Sequence, residues 1–185
     1  MNLEPSTLEI PEEIRSERLW LRAPHPQYAV EMNEAIRESI DELRPWMDWA
    51  QQAPGLRESI DQQLRAREAF LAREDLQLIL FCGDRLVGSS GLHRIDWTIP
   101  KFEIGYWVRT SEVGRGYASE AVSTIARFAF EQLSARRVEI RSSARNQRSR
   151  AVPERLGFDL EGILRNDSQE PDGTVRDTAI YAQVR

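Results

Sequence analysis

Residues 108–130 read VRTSEVGRGYASEAVSTIARFAF, which sets Gly114-Arg115-Gly116 between an apolar stretch and a long amphipathic run. A strand that passes through such a turn into a helix makes an anion site. The first helical turn carries unpaired N–H groups and the positive end of the macrodipole. Glycine lets the backbone come close to the anion and accepts positive φ, and Arg115 adds charge at the same point. A glycine pair here also serves as a plain tight connection, so the turn alone leaves both readings open. The common nucleotide loops are excluded. No Gly-Lys-Ser/Thr follows, the third glycine of the dinucleotide fingerprint is missing, and the turn lies mid-chain after several strands. What remains is a different ligand that carries a pyrophosphate.

The elements that must position this turn are legible from periodicity. RLWLRAP (18–24) alternates as a short strand, and helical spacing runs from Pro26 to about Ile40 and from about Leu56 to Arg73. LQLILFC, GDR and LVGSSGLHRI read as a hairpin turning near Gly83-Asp84, and KFEIGYWV (101–108) as a further strand. Ala121, Val122, Ile125, Phe128, Ala129 and Leu133 then recur at three and four residues, one apolar helix face beginning near Gly116 to Ser119. RRVEIRSSA returns to alternation. NQRSRAVPERLGF suggests a short helix that Pro153 should kink or open. Two closing strands, about Asp159 to Asn166 and Thr174 to Val184, flank the turn-forming EPDG. Residues 1–14 show no period and read as an N-terminal arm; residues 15–185 read as one mixed α/β domain without linker or repeat.

Composition narrows the function classes. A chain of 185 residues, 41% hydrophobic and 30% charged, is an ordinary globular domain. Its apolar runs are too short for a membrane helix, and the N-terminus lacks the order of a signal peptide, so a cytoplasmic location is expected. Cys82 is the single cysteine and reads as a small buried hydrophobe. The net charge is −5, with 25 basic residues of which only Lys101 is lysine. That balance argues against nucleic acid as a partner. Seven arginines nevertheless fall between Arg136 and Arg155, either a solvated face or an anion site.

VGRGYA (113–118) resembles the Gln/Arg-x-x-Gly-x-Gly/Ala signature of the GNAT superfamily of N-acetyltransferases, with Val113 where Gln or Arg is usual. FEIGYWV, GRGYASEAV and NQRSRAVPERLGF, in that order and spacing, are similar to the RimJ/RimL branch, and LRPWMDWA and DGTVRDTAIYA fit it as well. The resemblance spans about residues 15–184. It implies a central mixed, mostly antiparallel sheet of about seven strands, flanked by helices and splayed at the cofactor site. It also implies acetyl-CoA as cosubstrate. The amides of Gly114, Arg115, Gly116, Tyr117, Ala118 and Ser119 would hold the pyrophosphate, beside Val113. The backbone of Trp107 and Val108 would pair with the pantetheine arm, with Asn146 on the same arm and Ser149 near the thioester sulfur. Arg145, Arg148 or Arg150 would meet the 3′-phosphate.

Acetyl transfer to an amine by direct attack needs a neutral amine, a held thioester and a stabilised tetrahedral oxyanion, the last supplied here by the Val108 N–H. An α-amino group of pKa near ~8 needs less help from a base than a lysine near ~10.4. Glu103 is the first candidate base, its alternative being a structural carboxylate paired with a neighbouring arginine. The resemblance gives Ser149 the role of protonating the leaving thiolate; a plain helix cap or cofactor contact is its alternative. In the branch a glutamate nineteen residues beyond that serine has been given the base role; here the count reaches Ser168, with Asp167 adjacent. Trp46 and Trp49, with Met47, are core aromatics or walls of the acceptor pocket. His25 and His93 suggest no metal site. The acceptor expected is a protein N-terminus of the ribosomal-protein type; a small amine such as an antibiotic, polyamine or amino-acid analogue, or a non-catalytic acyl-CoA sensor, is the alternative. Relatives of the branch often dimerise, so a homodimer is one arrangement the resemblance implies.

Overall fold

The structure is a computed structural model that describes residues 8–185. Among the described residues, eight strands and four α-helices follow one another in mixed order. They are β1 (Glu13–Arg15), β2 (Trp20–Arg22), α1 (Ala29–Leu43), α2 (Leu56–Ala72), β3 (Leu76–Cys82), β4 (Arg85–Asp96), β5 (Lys101–Val108), α3 (Tyr117–Gln132), β6 (Arg137–Ser143), α4 (Gln147–Arg155), β7 (Asp159–Gln169) and β8 (Val175–Val184). The strands form one sheet in the order β1-β2-β3-β4-β5-β6-β8-β7. Only β5 and β6 run parallel; every other pair is antiparallel. One strand more is present than the seven expected. The extra one is β1, three residues paired to β2 across the proposed end of the arm. Residues 1–7 of that arm lie outside the described residues.

Alternation sorts the side chains onto two faces. Leu76, Leu78 and Leu80 of β3, Phe102 and Ile104 of β5, and Val138 and Ile140 of β6 meet the apolar face of α3 (Tyr117, Ala121, Val122, Ile125, Phe128, Ala129) in the larger core. Ile79, Phe81 and Leu86 meet Met32, Ala35 and Ile36 of α1 in a smaller core on the opposite face, with Trp20, Tyr28 and Trp107 packed around it. Fully burying an aliphatic side chain such as Ile125 contributes roughly 1.5–3 kcal/mol, and Val122 and Ile125 are entirely enclosed. The floor under the glycine turn is therefore fixed on one side by α3 and on the other by α1.

Two features open the sheet. Beneath β5, the run Gly88-Ser89-Ser90-Gly91 of β4 is buried; a Cβ on Gly91 would stand 2.6 Å from the Leu76 carbonyl oxygen, so only glycine lets β3 and β4 approach there. Next to it, β5 and β6 pair only at Lys101–Arg137, Phe102–Val138 and Glu103–Glu139. Beyond Glu103, β5 stays with β4 as far as Val108, while β6 stays with β8 as far as Ser143. The two strands diverge into a wedge, as the resemblance implied.

Candidate active site

The wedge exposes backbone groups on one side only. Arg109 N–H donates to the Val87 carbonyl at 2.8 Å, one step beyond the Gly88–Val108 pair. Bonded positions alternate along an antiparallel ladder. Trp107 therefore turns its N–H and C=O toward β4, whereas Val108 and Tyr106 turn theirs to the side that β6 has left. Of the two residues expected to pair with an extended ligand, Val108 turns its backbone groups to the open side and Trp107 turns its own toward β4; Tyr106 is oriented as Val108 is. The Trp107 ring lies on the α1 face, 6.1 Å centroid to centroid from Trp49, a tilted aromatic pair. Trp49 is exposed and Trp46 half-buried, in the segment between α1 and α2.

At the wide end of the wedge stands the N-terminus of α3. Gly114 and Gly116 both adopt positive φ, 83° and 81°, where other residues are strained. Among the described residues, nothing lies within 4 Å of a Cβ on Gly114, and on Gly116 only the Arg18 guanidinium does, at 3.5 Å. The turn is thus an open cradle of main-chain amides from Gly114 through Ser119 that leads into a 16-residue helix. Val113 is exposed in front of it. Arg115 is 59% exposed although it pairs with Glu112 at 3.2 Å, and Glu112 is also held by Arg85 at 2.7 Å. Tyr117 is buried and its hydroxyl donates to Cys82 Sγ at 3.3 Å. Ala118 packs against the larger core. Such a cradle of free amides, open space and surrounding cations fits a diphosphate.

Of the three arginines expected at a 3′-phosphate, Arg145 is exposed just ahead of α4, and the two on α4 have partners within the chain. Arg150 donates to the Tyr181 hydroxyl at 2.9 Å and to the Ala144 carbonyl at 2.9 Å, so its guanidinium fastens α4 to β8. Arg148 reaches Glu42 at 3.3 Å. The arginine that approaches the cradle is Arg155, which donates to the Ser119 hydroxyl at 2.8 Å. It closes α4, and Arg18 comes from the β1–β2 connection. Neither lies near the turn in sequence: that distance hid Arg18, while Arg155 stood out only as the end of the arginine cluster.

On the α1 face, below the wedge, stands a row of titratable groups. Glu103 is cross-strand partner to His93 on β4 and to Glu139 on β6. Its side chain is only 17% exposed, and Arg94 approaches to 3.5 Å. One carboxylate oxygen, Oε2, is buried without a hydrogen bond among the described residues. Burial raises its pKa above the ordinary carboxylate value, and Arg94 and Arg141 offset only part of this. Arg94 has a positive φ of 46° where the β4–β5 register slips between His93 and Asp96; this irregularity aims its guanidinium at Glu103. His93 Nδ1 lies 2.7 Å from Asp75, which accounts for that imidazole structurally, and His25 Nδ1 accepts from the Gln27 N–H. Asp167 on β7 is bound to Arg141 at 3.0 Å. Glu170, which the sequence gave no reason to single out, is buried just beyond β7; it accepts from the Ser143 hydroxyl and has a second oxygen without a partner among the described residues. Among the described residues, no group of three His, Cys, Asp or Glu is arranged to hold a metal ion.

On the α3 face, α4 begins at Asn146. The Asn146 side-chain oxygen accepts from the Ser149 N–H at 3.1 Å, so Asn146 is the N-cap and leaves its NH₂ group for other contacts. Pro153 neither opens nor breaks this helix; it is the seventh of nine residues. Tyr106 on β5 lies beneath, its hydroxyl 2.7 Å from the Ser149 carbonyl oxygen and 3.2 Å from Ser149 Oγ. Sequence reading had passed over Tyr106, next to the named pair Trp107 and Val108.

A wedge between two parallel strands, a glycine cradle at its mouth, a buried glutamate on one face and a capped serine on the other is the geometry of acyl transfer from a long phosphorylated carrier. The family model for the acetyltransferase (GNAT) domain matches residues 18–159. YdaF of Bacillus subtilis (strain 168), named as a candidate ribosomal N-acetyltransferase, is 32% identical over 173 residues, 92% of this chain and 93% of its own. Two solved structures share the fold. The microcin C7 self-immunity acetyltransferase MccE, in complex with acetyl-CoA and AMP, superposes with a TM-score of 0.89 at 22% identity, covering 95% of this chain and 98% of that one. RimL, the ribosomal L7/L12 α-N-protein acetyltransferase in complex with coenzyme A, superposes with a TM-score of 0.88 at 24% identity, covering 94% and 98%. The family match takes in most of the chain, which therefore belongs to the GNAT acetyltransferases, in the RimJ/RimL-type branch, and is an acetyl-CoA-dependent N-acetyltransferase by that membership.

Proposed function

We propose that the chain transfers the acetyl group of acetyl-CoA to the N-terminal α-amino group of a protein of the ribosomal type, in the cytoplasm. The single observation that carries this reading is the wedge: β5 leaves β6 at Glu103 and turns the backbone of Tyr106 and Val108 to the opening, with the Gly114–Ser119 cradle at its wide end. An extended amide-bearing arm pairs with such an edge as an added strand does. The cradle amides hold the diphosphate, and Arg115, Arg155 and Arg18 supply the surrounding positive charge. The relatives named for ribosomal N-acetylation support the choice of acceptor.

In this reading the acceptor enters from the α1 face, past Trp49 and Trp107. Its amine lone pair forms the new C–N bond at the acetyl carbonyl carbon, while the Val108 N–H donates to the oxygen that gains charge. Glu103 takes the proton that the nitrogen loses. Burial keeps Glu103 a stronger base than a surface carboxylate, and an α-amine of pKa near ~8 asks little more. As the C–S bond breaks, the Ser149 hydroxyl gives its proton to the sulfur and is reprotonated by water. Asp167 takes no part, since Arg141 already holds its carboxylate.

The test is intact-mass measurement of N-terminal peptides of ribosomal proteins after incubation with acetyl-CoA. A gain of one acetyl group on the α-amine, absent from a peptide whose N-terminus is blocked, supports the reading. Acetylation of polyamines or antibiotics with the peptides untouched replaces the acceptor, and no thiol release with any amine makes the protein an acyl-CoA sensor.

A further inference from the structure

We propose that Tyr106 is a positioning residue that fixes the Ser149 hydroxyl toward the thioester; the proposal rests on the reading of Ser149 as the group that protonates the departing sulfur. The argument begins with a proline. In an α-helix the carbonyl of Ser149 accepts from the N–H four residues on, which is position 153. Pro153 has no N–H, and its ring crowds that carbonyl. The defect falls on the one residue of α4 that carries a hydroxyl group.

Tyr106 repairs the defect and does more. Its phenol has one hydrogen and two lone pairs. The hydrogen goes to the Ser149 carbonyl at 2.7 Å, where it supplies the donor that Pro153 lacks. The same phenol oxygen lies 3.2 Å from Ser149 Oγ, a contact in which either hydroxyl can donate; with the phenol hydrogen shared between the carbonyl and Oγ, the serine keeps its own hydrogen for the sulfur. One phenol oxygen thus touches both the main chain and the side chain of the same residue, while Asn146 holds its N–H at 3.1 Å. Three contacts on one serine leave its hydroxyl few of the staggered positions open to a free one. Burial pushes the Tyr106 phenol up to about 12, so it remains a donor across the working range. The same residue turns its backbone into the wedge, so the ring that orients Ser149 and the edge that receives the pantetheine arm move together.

The experiment compares Tyr106→Phe, Ser149→Ala, the double variant, and Tyr106→Phe/Pro153→Ala, by kcat, by KM for acetyl-CoA and by thermal melting. Tyr106→Phe is expected to lower kcat about tenfold with KM within about twofold, and to add no more than about twofold to the loss already caused by Ser149→Ala. Pro153→Ala returns an N–H to the Ser149 carbonyl. In the Tyr106→Phe background it should restore the melting temperature but not kcat, because Oγ still lacks its partner. It also keeps the test available if Tyr106→Phe alone folds poorly. Wild-type kcat in Tyr106→Phe, losses that multiply fully with Ser149→Ala, or kcat restored along with stability by Pro153→Ala would each overturn the proposal. Wild-type turnover in Ser149→Ala is a different failure: it removes the acid role of Ser149 itself.

Discussion

Arg18 and Glu120 meet at 2.6 Å across the first turn of α3, although 102 residues separate them in the chain. The Arg18 main-chain N–H reaches the same carboxylate at 2.7 Å, and its guanidinium donates onward to the Arg115 carbonyl at 3.0 Å and lies over the Tyr117 ring. Ser16 adds a hydroxyl donor to Glu120 at 2.6 Å. The connection between β1 and β2 therefore braces the glycine turn from outside.

Arg18→Ala removes that brace together with a positive charge at the cradle. Coenzyme A should bind about fivefold more weakly, a loss of about 1 kcal/mol, by isothermal titration calorimetry. Glu120→Gln keeps the shape and loses the charge; it should weaken the brace while leaving Arg18 near the ligand, and so cost less affinity than Arg18→Ala.

Gly116→Ala forces a Cβ onto a backbone at φ 81°, at a cost of roughly 1–2 kcal/mol in the native state. The space around it is open apart from Arg18, so the fold should survive. Gly116→Glu adds a carboxylate beside the diphosphate, and coenzyme A affinity should fall more than about tenfold below that of Gly116→Ala. Far-ultraviolet circular dichroism checks that the fold is intact, and calorimetry reads the affinity.

Much of this arrangement is legible in the sequence because it follows from local periods. The hairpin of β3 and β4, strand β5 over residues 101–108 and the start of α3 at the second glycine need only neighbouring residues to declare themselves. What sequence conceals is set by contacts across the chain. Strand β1 has three residues, too few for a period, and exists because β2 offers it an edge. Pro153 reads as a kink or a first-turn residue until Tyr106, 43 residues from Ser149, is seen to supply the missing donor. The seven arginines from 136 to 155 form a basic cluster on paper; in space Arg137 goes to Glu139 and Glu161, Arg141 to Asp167 and Arg150 to Tyr181, and Arg155 alone of them reaches Ser119.

Glu103→Gln should lower kcat by roughly 10²–10⁴, the usual contribution of a positioned base. The pH profile is the sharper readout. Burial raises the Glu103 pKa, and only the deprotonated form accepts a proton, so wild-type activity should rise with pH along a limb lying above the ordinary carboxylate range. That limb should vanish in Glu103→Gln and remain in Asp167→Asn.

Glu38 links pH to stability. Burial pushes its pKa upward, but hydrogen bonds from Ser111 and the ion pair with Arg109 at 2.6 Å prevail and bring it down to about 2, from the ordinary 4.5. A depressed folded pKa means that this stabilisation is fully present above pH 4.5 and is lost as pH falls toward 2. Glu38→Gln should therefore melt at a lower temperature than wild type at pH 7, and the gap should narrow as the solution is acidified from pH 4.5 to 3, measured by differential scanning calorimetry.

A crystal structure with coenzyme A bound tests the central claim most directly. The account predicts the diphosphate within hydrogen-bonding distance of the amides between Gly114 and Ser119, and the pantetheine arm paired to Tyr106 and Val108 in the wedge. A ligand seated away from that turn, or lying along β5 without bonds to those two residues, would contradict it.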